Sequence, residues 1–363
     1  MAAVDPTSVE RGRRAARAGQ ASDVPAWLQG LPLSWWVVGV ILLFMPVVAN
    51  DFILFQIFGW GFILGMIALS LMFLGGYGGM VSLAQMSIAA LAGYMIAILG
   101  SSGVQTISLN WPWWLAIPVA IFIAAAFATM IGALAVRTEG IYTIMITLAI
   151  AAAFFYFTRQ NYTIFNGYTG FANVVPPDLF GINWRRSVPF YYLSLACAVI
   201  AYCVVVYVSR SPFGLALQGV RDNPRRMAAL GFNVFAHRVF AYTFAGAIAA
   251  VAGILMAWQN AQISPGTAGL PAVIDILVIA VVGGMKRPIG PFIGALIYVV
   301  LRTFAPDILL TLGLSGDRFK LLIGLGFLAI VYWSPDGVLG LWEHWRARRA
   351  KAGDPLTRGG DAQ

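Results

Sequence analysis

One acidic residue stands inside an otherwise apolar run of the chain. Asp275 lies in the segment PAVIDILVIAVVGG, where its nearest neighbours on both sides are apolar. An acid within a membrane is costly and faces a cavity or a partner. Three roles are open for its carboxylate: contact with the amine of a solute, pairing with Lys286 or Arg287, or solvation near the outer end of a short span.

Glycines crowd the chain just before two polar residues. In the segment GGYGGMVSLAQ, four of the five positions 75–79 are glycine, and Ser82 and Gln85 follow. A continuous helix through these glycines is disfavoured. A broken helix frees backbone groups that can meet a polar solute inside the membrane, and Ser82 and Gln85 could share one face beside it. The alternative is that small residues let helices pack closely.

Two further hydroxyl groups lie in an apolar segment downstream. Tyr142 and Thr147 could offer their hydroxyls to a solute or bond back to their own helix. Together with the acid and the glycine segment, they define a candidate translocation pathway for a polar solute. The predicted pathway residues are Gly78, Gly79, Ser82, Gln85, Tyr142, Thr147 and Asp275.

A short basic segment lies between two long apolar runs. In GVRDNPRRMAALG, Asn223 can cap a helix, Pro224 suits its first position, and Gly231 suits the residue just after its end. The pattern predicts a helix over 224–230. Arg221, Arg225 and Arg226 make one side basic. Met227 and Leu230 form a small apolar side.

A helix of only two turns is not stable alone and must dock on something. It could lie among lipid headgroups with its arginines on phosphates, or it could seat as a knob in a partner protein. The knob requires the apolar contact of Leu230 and the turn at Gly231, whereas headgroup binding requires Arg225 and Arg226.

The elements that must position these residues are membrane-spanning helices. Of the 363 residues, 60% are hydrophobic and 10% are charged, whereas a soluble domain carries about 25% charged residues. About 20 apolar residues span a bilayer core of roughly 30 Å as a helix. The sequence therefore predicts an all-α, polytopic helical membrane protein with about ten spans, several of them short or broken. The predicted spans are 35–50, 52–75, 81–100, 113–136, 141–158, 189–208, 239–259, 272–284, 291–304 and 320–334.

The distribution of basic residues predicts the orientation of these spans. With the amino terminus in the cytoplasm, 17 of the 23 Lys and Arg lie in inside segments and 6 lie outside, as the positive-inside rule requires. The predicted regions are a cytoplasmic tail at 1–34, a membrane domain at 35–336 with a cytoplasmic loop at 209–238, and a basic cytoplasmic tail at 337–363. The outside loop 159–188 is either an ordered cap or a docking surface.

Several classes of function are excluded or disfavoured. A net charge of +9 would indicate nucleic acid in a soluble protein, but basic cytoplasmic loops account for it here. The two cysteines lack metal-ligand spacing, and the chain has no HExxH, GxSxG or GxxxxGK[ST] motif. We therefore expect no enzyme activity, metal or cofactor. An ion-coupled secondary transporter needs titratable groups at mid-membrane; the chain offers Asp275, while His237 and His344 fall in cytoplasmic segments.

Five stretches, in order, carry a family pattern. They are GYGGMVSLAQMSIAALAGY, RTEGIYTIMITLA, SRSPFGLALQGVRDNPRRMAALGFNVFAHRVF, IDILVIAVVGGMKRPIGPFIGA and SPDGVLGL. Together they cover about 75–338 and resemble the LivM-type permease subunits of branched-chain amino acid ABC importers. In that family, a Glu-Ala-Ala element followed by Leu-Gly belongs to a coupling helix that inserts into a cleft of the ATP-binding subunit. Its counterpart here begins at Ala228, which stands where many members have Glu.

The resemblance assigns a role to the short basic helix. Its residues would contact the ATP-binding subunit, and Arg221, Asp222 or Arg226 would supply the polar contact that Glu makes elsewhere. The coupling residues implied in this way are Arg221, Asp222, Arg226, Ala229, Leu230 and Gly231.

The resemblance also implies partners, location and cargo. The chain would be one permease of an importer in the inner membrane, with a second homologous permease, two ATP-binding subunits that hold the ATP, and an extracytoplasmic solute-binding protein. Membrane lipid would surround it, and nucleic acid would not be a partner. The expected solute is a branched-chain or hydrophobic amino acid. A urea or short-amide ABC permease is one alternative and an ion-coupled secondary transporter another, although the secondary transporter has no need of a docked helix.

Overall fold

A computed structural model describes residues 33–138, 140–177, 181, 183–311, 324–325, 328, 337–338 and 340. The chain divides into two compact units, Met1–Asn50 and Asp51–Gln363. In the described part of the first unit, the chain forms one helix, α1 (Leu33–Val48). The predicted tails at 1–34 and 337–363 lie almost wholly outside the described residues.

The second unit begins with a long helix, α2 (Ile53–Tyr77), that changes its winding at both ends. Its centre, Trp60–Met72, is α-helical, whereas Ile53–Gly59 and Phe73–Tyr77 are wound as π-helix. Such turns are rare and occur frequently at functional sites. The other helices are α3 (Gln85–Leu99), α4 (Trp113–Ala135), α5 (Ile141–Gln160), α6 (Ser187–Arg210), α7 (Pro212–Asp222), α8 (Pro224–Ala229), α9 (Val234–Asn260), α10 (Leu270–Gly283) and α11 (Gly290–Thr311), with a short 3-10 helix at Pro265–Ala268.

The helices of the described part of the chain match the predicted spans. Five of them are long and apolar enough to cross a membrane, and four shorter apolar helices accompany them. Nine of the ten predicted spans therefore coincide with a helix, and the tenth, at 320–334, lies almost wholly outside the described residues. The chain is an all-α polytopic membrane protein whose described part also contains one pair of two-residue strands.

Three loops meet at one end of the helices. β1 (Phe171–Ala172) pairs antiparallel with β2 (Gln262–Ile263), the first residue of each opposite the last of the other. The Gly103 N–H donates a hydrogen bond to the Ala172 carbonyl at 2.8 Å. The sequence assigns all three loops to the outer side of the membrane, and their meeting agrees with the predicted alternation of the spans.

The core lies where α9 packs against α2, α3 and α4 and where α11 packs against α2 and α10. Small residues allow this close approach, because a Cβ atom at Gly253 would collide with the backbone of Ala89 and one at Gly246 with Ala128. Tight packing also brings hydroxyls together, and the Oγ1 atoms of Thr129 and Thr243 lie 2.7 Å apart between α4 and α9. The core is thus closely packed where α9 crosses its neighbours.

Candidate functional site

The short basic helix forms as the sequence predicts. α8 starts after Asn223, whose Oδ1 accepts a hydrogen bond from the Arg226 N–H at 3.0 Å. Pro224 occupies the first position. Gly231 follows the end with a φ of +89°, a conformation that favours glycine. The predicted helix is confirmed to within one residue.

A second short helix, α7, precedes it and was not predicted. It begins after Ser211, whose Oγ accepts a hydrogen bond from the Gly214 N–H at 3.3 Å. Leu217 and Val220 are fully buried and hold α7 against the bundle. Serine followed by proline is a signal for a helix start, so Ser211 and its neighbour could have revealed this helix.

α8 projects from the bundle, and none of its residues is buried. Met227 turns towards α7, where its sulfur lies against Gly219. Leu230 turns away, and 65% of its surface is exposed. Arg226 and Ala229 are also exposed. The predicted apolar side of the helix is therefore divided, and Leu230 is the apolar group that a partner can cover.

Arg221 connects this element to the glycine segment. Its Nη1 donates to the Gly76 carbonyl, and its Nη2 lies 2.8 Å from Oδ1 of Asp222. A Cβ atom built on Gly79 would lie 2.5 Å from Cγ of Arg221. The arginine that the sequence assigned to a partner contact therefore packs against a glycine that it assigned to the pathway.

The glycine segment ends a helix at the end of the bundle that carries α7 and α8. Gly76 lies in the last, π-helical turn of α2 and packs against the backbone carbonyl of Met285. Gly78 follows in a turn, and Gly79 has a φ of +67°. The chain thus leaves helical structure here and resumes it at the start of α3, so the expected break in the helix is present.

Three predicted pathway residues meet at the start of α3. Ser82, Gln85 and Thr147 are all buried. The Leu83 N–H donates to Oγ1 of Thr147 at 3.1 Å, and the Ser70 hydroxyl lies 3.1 Å from Oε1 of Gln85. The Thr147 hydroxyl also bonds back to a carbonyl of its own helix. This polar cluster is enclosed by protein and lies between α2, α3 and α5.

The other two predicted pathway side chains lie elsewhere. Tyr142, near the start of α5, is exposed. Asp275 lies in the first half of α10, and side-chain hydrogen bonds join Tyr298 of α11 to Asp275 and to Arg302. α10 continues for about 12 Å from Asp275 to its last residue, Gly283. Lys286 follows that end of α10 and is therefore far from Asp275. The polar neighbours of Asp275 that the structure identifies are therefore on α11, which the sequence did not single out.

Asp275→Ala is expected to destabilise the protein because the buried Tyr298 hydroxyl loses a hydrogen-bond partner. For a buried hydroxyl left unsatisfied, we expect a loss of about 1 to 3 kcal/mol, read as a lower midpoint of thermal unfolding in detergent. In a Tyr298→Phe background, Asp275→Ala should cause a smaller further loss. A loss of the same size in both backgrounds would contradict this contact.

A cavity of ≈ 270 Å³ lies at the end of α3, the start of α4 and the end of α9. Its lining residues include Asn110, Trp111, Trp113 and Trp258. Its described lining contains no ionisable group. Sequence reasoning missed these residues because tryptophan at the end of a span is common in any membrane protein.

These features together define a membrane transport permease: a bundle of apolar helices that encloses polar groups and carries an exposed two-helix element at one end. No cluster that could hold a metal ion occurs among the described residues. Residues 53–331 match the family model described as the permease component of the branched-chain amino acid transport system. The chain belongs to this family, which is a family of transport permeases and not of enzymes.

Three relatives illustrate the range of the family. The chain is 25% identical over 249 residues to the high-affinity branched-chain amino acid transport system permease protein LivM of Escherichia coli K12, covering 62% of this chain and 57% of that protein. It is 30% identical over 169 residues to the high-affinity branched-chain amino acid transport system permease protein BraD of Pseudomonas aeruginosa, covering 45% and 52%. It is 24% identical over 213 residues to the ribose import permease protein RbsC of Haemophilus influenzae, covering 56% and 64%. The chain thus spans little more than half the length of the first two, and no solved structure matches it.

Proposed function

We propose that the chain is a permease subunit of an ATP-driven importer and that it carries branched-chain or other hydrophobic amino acids across the inner membrane. The observation that carries this proposal is α8, a capped and exposed two-turn helix that presents Leu230 at its end. Docking on a partner stabilises such a helix. LivM and BraD, which the chain resembles, are named as branched-chain amino acid permeases. In this function the chain performs no chemistry and binds no cofactor.

The proposed assembly places a different partner at each end of the bundle. Two ATP-binding subunits hold the ATP, and one of them receives α8. A second homologous permease completes the pathway, and a solute-binding protein docks at the opposite end, where β1 and β2 pair. This arrangement puts α7, α8 and both termini in the cytoplasm, in agreement with the excess of basic residues in those segments.

Movement of the ATP-binding subunits would reach the pathway through α8 and α7. α8 packs on α7 through Met227 and Gly219, and Arg221 at the end of α7 bonds to the Gly76 carbonyl at the end of α2. A displacement of α8 therefore pulls on the segment between α2 and α3, which carries Ser82. Closure of the ATP-binding subunits would in this way change the side of the membrane to which the start of α3 is open.

An ion-coupled secondary transporter is supported less well. Such a protein needs ionisable groups that face a pathway at mid-membrane, whereas Asp275 shares Tyr298 with Arg302 near one end of α10. A secondary transporter would also have no use for an exposed docking helix. A urea or short-amide permease would use the same architecture, and no feature of the described residues favours it over an amino-acid permease.

The reconstituted importer is expected to take up leucine only when ATP is hydrolysed. The test uses proteoliposomes that contain both permeases and the ATP-binding subunits, with ATP enclosed and the solute-binding protein and labelled leucine outside. A catalytically inactive ATP-binding subunit is the control and should give no uptake. Uptake driven by a proton or sodium gradient without ATP would contradict the importer, and ATP-dependent uptake of urea in place of leucine would change the assigned solute.

A further inference from the structure

The helix α3 begins inside the membrane-spanning part of the protein. It has 15 residues and is therefore about 22 Å long, shorter than the roughly 30 Å of a bilayer core. Its first residue, Gln85, contacts Ser70 of α2, with 3.1 Å between Oε1 and Oγ. Because Ser70 precedes the end of α2 at Tyr77 by two turns, the start of α3 lies about 10 Å inside that end of the bundle.

The first turn of α3 presents backbone donors without acceptors. Ala84 precedes the helix and offers no side-chain cap. The Leu83 N–H bonds to Oγ1 of Thr147 at 3.1 Å, and the Ala84 N–H reaches Oγ of Ser82 at 3.4 Å. Residues 83 and 84 form a turn, and among the described residues the N–H groups of the next three residues, 85–87, make no hydrogen bond of good geometry. Donors of this kind, at the positive end of a helix, attract an anion.

Side chains in the same turn add unpaired polar atoms. Gln85 is 1% exposed and Ser87 is fully buried, and neither Nε2 of Gln85 nor Oγ of Ser87 has a hydrogen-bond partner. The Ser70 hydroxyl also donates a hydrogen bond to the Ile67 carbonyl, at 2.6 Å. Because Ser70 can meet only one amide atom of Gln85, the other stays unpaired whichever way the amide is turned. Because side chains tilt towards the start of their helix, both groups are directed at this helix end.

A cation and a third hydroxyl lie beside the same turn. The hydroxyl of Tyr242, on α9, is buried next to Ser82 without a hydrogen bond of good geometry. Arg238, one turn earlier on α9, is close enough to act electrostatically on that hydroxyl, and its Nε is also buried without a partner. The surroundings of this helix end are therefore positive and rich in donors, which suits a carboxylate.

We infer that the start of α3 binds the carboxylate of the transported amino acid. This inference rests on the proposed function and assigns the place where its solute is held. Backbone groups in a membrane interior need partners, and a passing carboxylate supplies them. Transporters direct the positive ends of discontinuous helices at anionic groups of their solutes. Since Gln85 and Ser87 are enclosed in this conformation, the segment between α2 and α3 must move to admit the solute.

A diazirine analogue of leucine tests this assignment in the complete importer. When illuminated during ATP-dependent turnover, the analogue is expected to label peptides that contain residues 82–87 or Tyr242. The corresponding amide, which lacks the negative charge, should label them at least about tenfold less, as the loss of one charged contact predicts. Labelling confined to the outer cavity around Trp111 and Trp258 would overturn the proposal.

Variants of Gln85 give a second measurement. Gln85→Glu places a like charge beside the incoming carboxylate, and leucine uptake is expected to fall roughly tenfold or more. Gln85→Leu removes the amide and should also lower uptake, whereas Gln85→Asn should retain part of it. Gln259→Leu is the matched control, because Gln259 is also buried with one unpaired amide atom, near the outer end of α9, and its loss should change uptake little.

The results separate this inference from the proposed function. Wild-type uptake of leucine together with full uptake by Gln85→Glu and Gln85→Leu would overturn the site and leave the importer standing. An absence of ATP-dependent uptake in the unaltered importer would count against the importer itself. If the Gln85 variants do not co-purify with the ATP-binding subunits, the labelling of the wild-type complex decides the question.

Discussion

Leu230→Asp is expected to abolish co-purification of the ATP-binding subunits with the permease. Leu230 is 65% exposed at the end of α8, where an apolar socket of the partner would cover it. Burying an unpaired carboxylate in such a socket costs on the order of a few kcal/mol, and each 1.4 kcal/mol weakens an association about tenfold. ATP hydrolysis stimulated by the solute-loaded binding protein is expected to fall in parallel when it is measured in the reconstituted complex.

Gly231→Val should act in the same direction for a different reason. Gly231 has a φ of +89°, and a Cβ atom there would meet no described atom within 4 Å. The expected cost therefore lies in the backbone conformation, which a β-branched residue adopts poorly. The end of α8 would change its course, and Leu230 would be presented in the wrong place.

Leu109→Asp is the matched control for the acid substitution. Leu109 is also more than half exposed, in a loop at the opposite end of the bundle, so the same change there should leave the ATP-binding subunits attached. Headgroup binding by α8 predicts another pattern: replacing Arg225 and Arg226 would alter lipid dependence, and Leu230→Asp would have little effect. Normal association of the Leu230→Asp permease would therefore refute the docking role of α8.

The local parts of this site could be predicted from the sequence because local rules govern them. A cap such as Asn223, a proline at the first position and a glycine after the end fix a helix through neighbouring backbone groups alone. Apolar runs with almost no charge predict the spans in the same way. α7 escaped prediction although Ser211 and the proline after it are a local start signal. Burial of Leu217 and Val220 against the bundle is a contact with distant segments, which the spacing of residues within the loop does not indicate.

The remaining parts depend on contacts between distant segments. Arg221 and Gly76 are 145 positions apart, and nothing in their spacing indicates that one bonds to the other. The same holds for Asp275, whose neighbour Tyr298 lies on another helix. Residue types could nominate members of a pathway, but only the packing of α2, α3 and α5 shows that Gln85 is buried between these helices and that Asp275 does not share its cluster.

Gly79→Leu is expected to uncouple ATP hydrolysis from transport while leaving the ATP-binding subunits attached. Gly79 has a φ of +67°, and its Cβ atom would lie 2.5 Å from Cγ of Arg221. A leucine there must displace the arginine, which breaks the bond from its Nη1 to the Gly76 carbonyl. Since α8 itself is unaltered, docking persists. Leucine uptake should be lost, and hydrolysis should no longer respond to the solute-loaded binding protein.

Two further variants separate collision from backbone strain. Gly181 also has a positive φ, of +71°, but a Cβ atom there would meet no atom of the described residues within 4 Å, so Gly181→Leu should transport normally. Arg221→Ala removes the Cγ atom with which a side chain at position 79 would collide, and it also removes the hydrogen bond to the Gly76 carbonyl. Adding Gly79→Leu to Arg221→Ala should therefore cause little further loss of uptake. Residues in contact show such non-additivity, whereas independent sites add. Additive losses would mean that Gly79 and Arg221 act separately, and the route by which α8 moves the start of α3 would have to lie elsewhere.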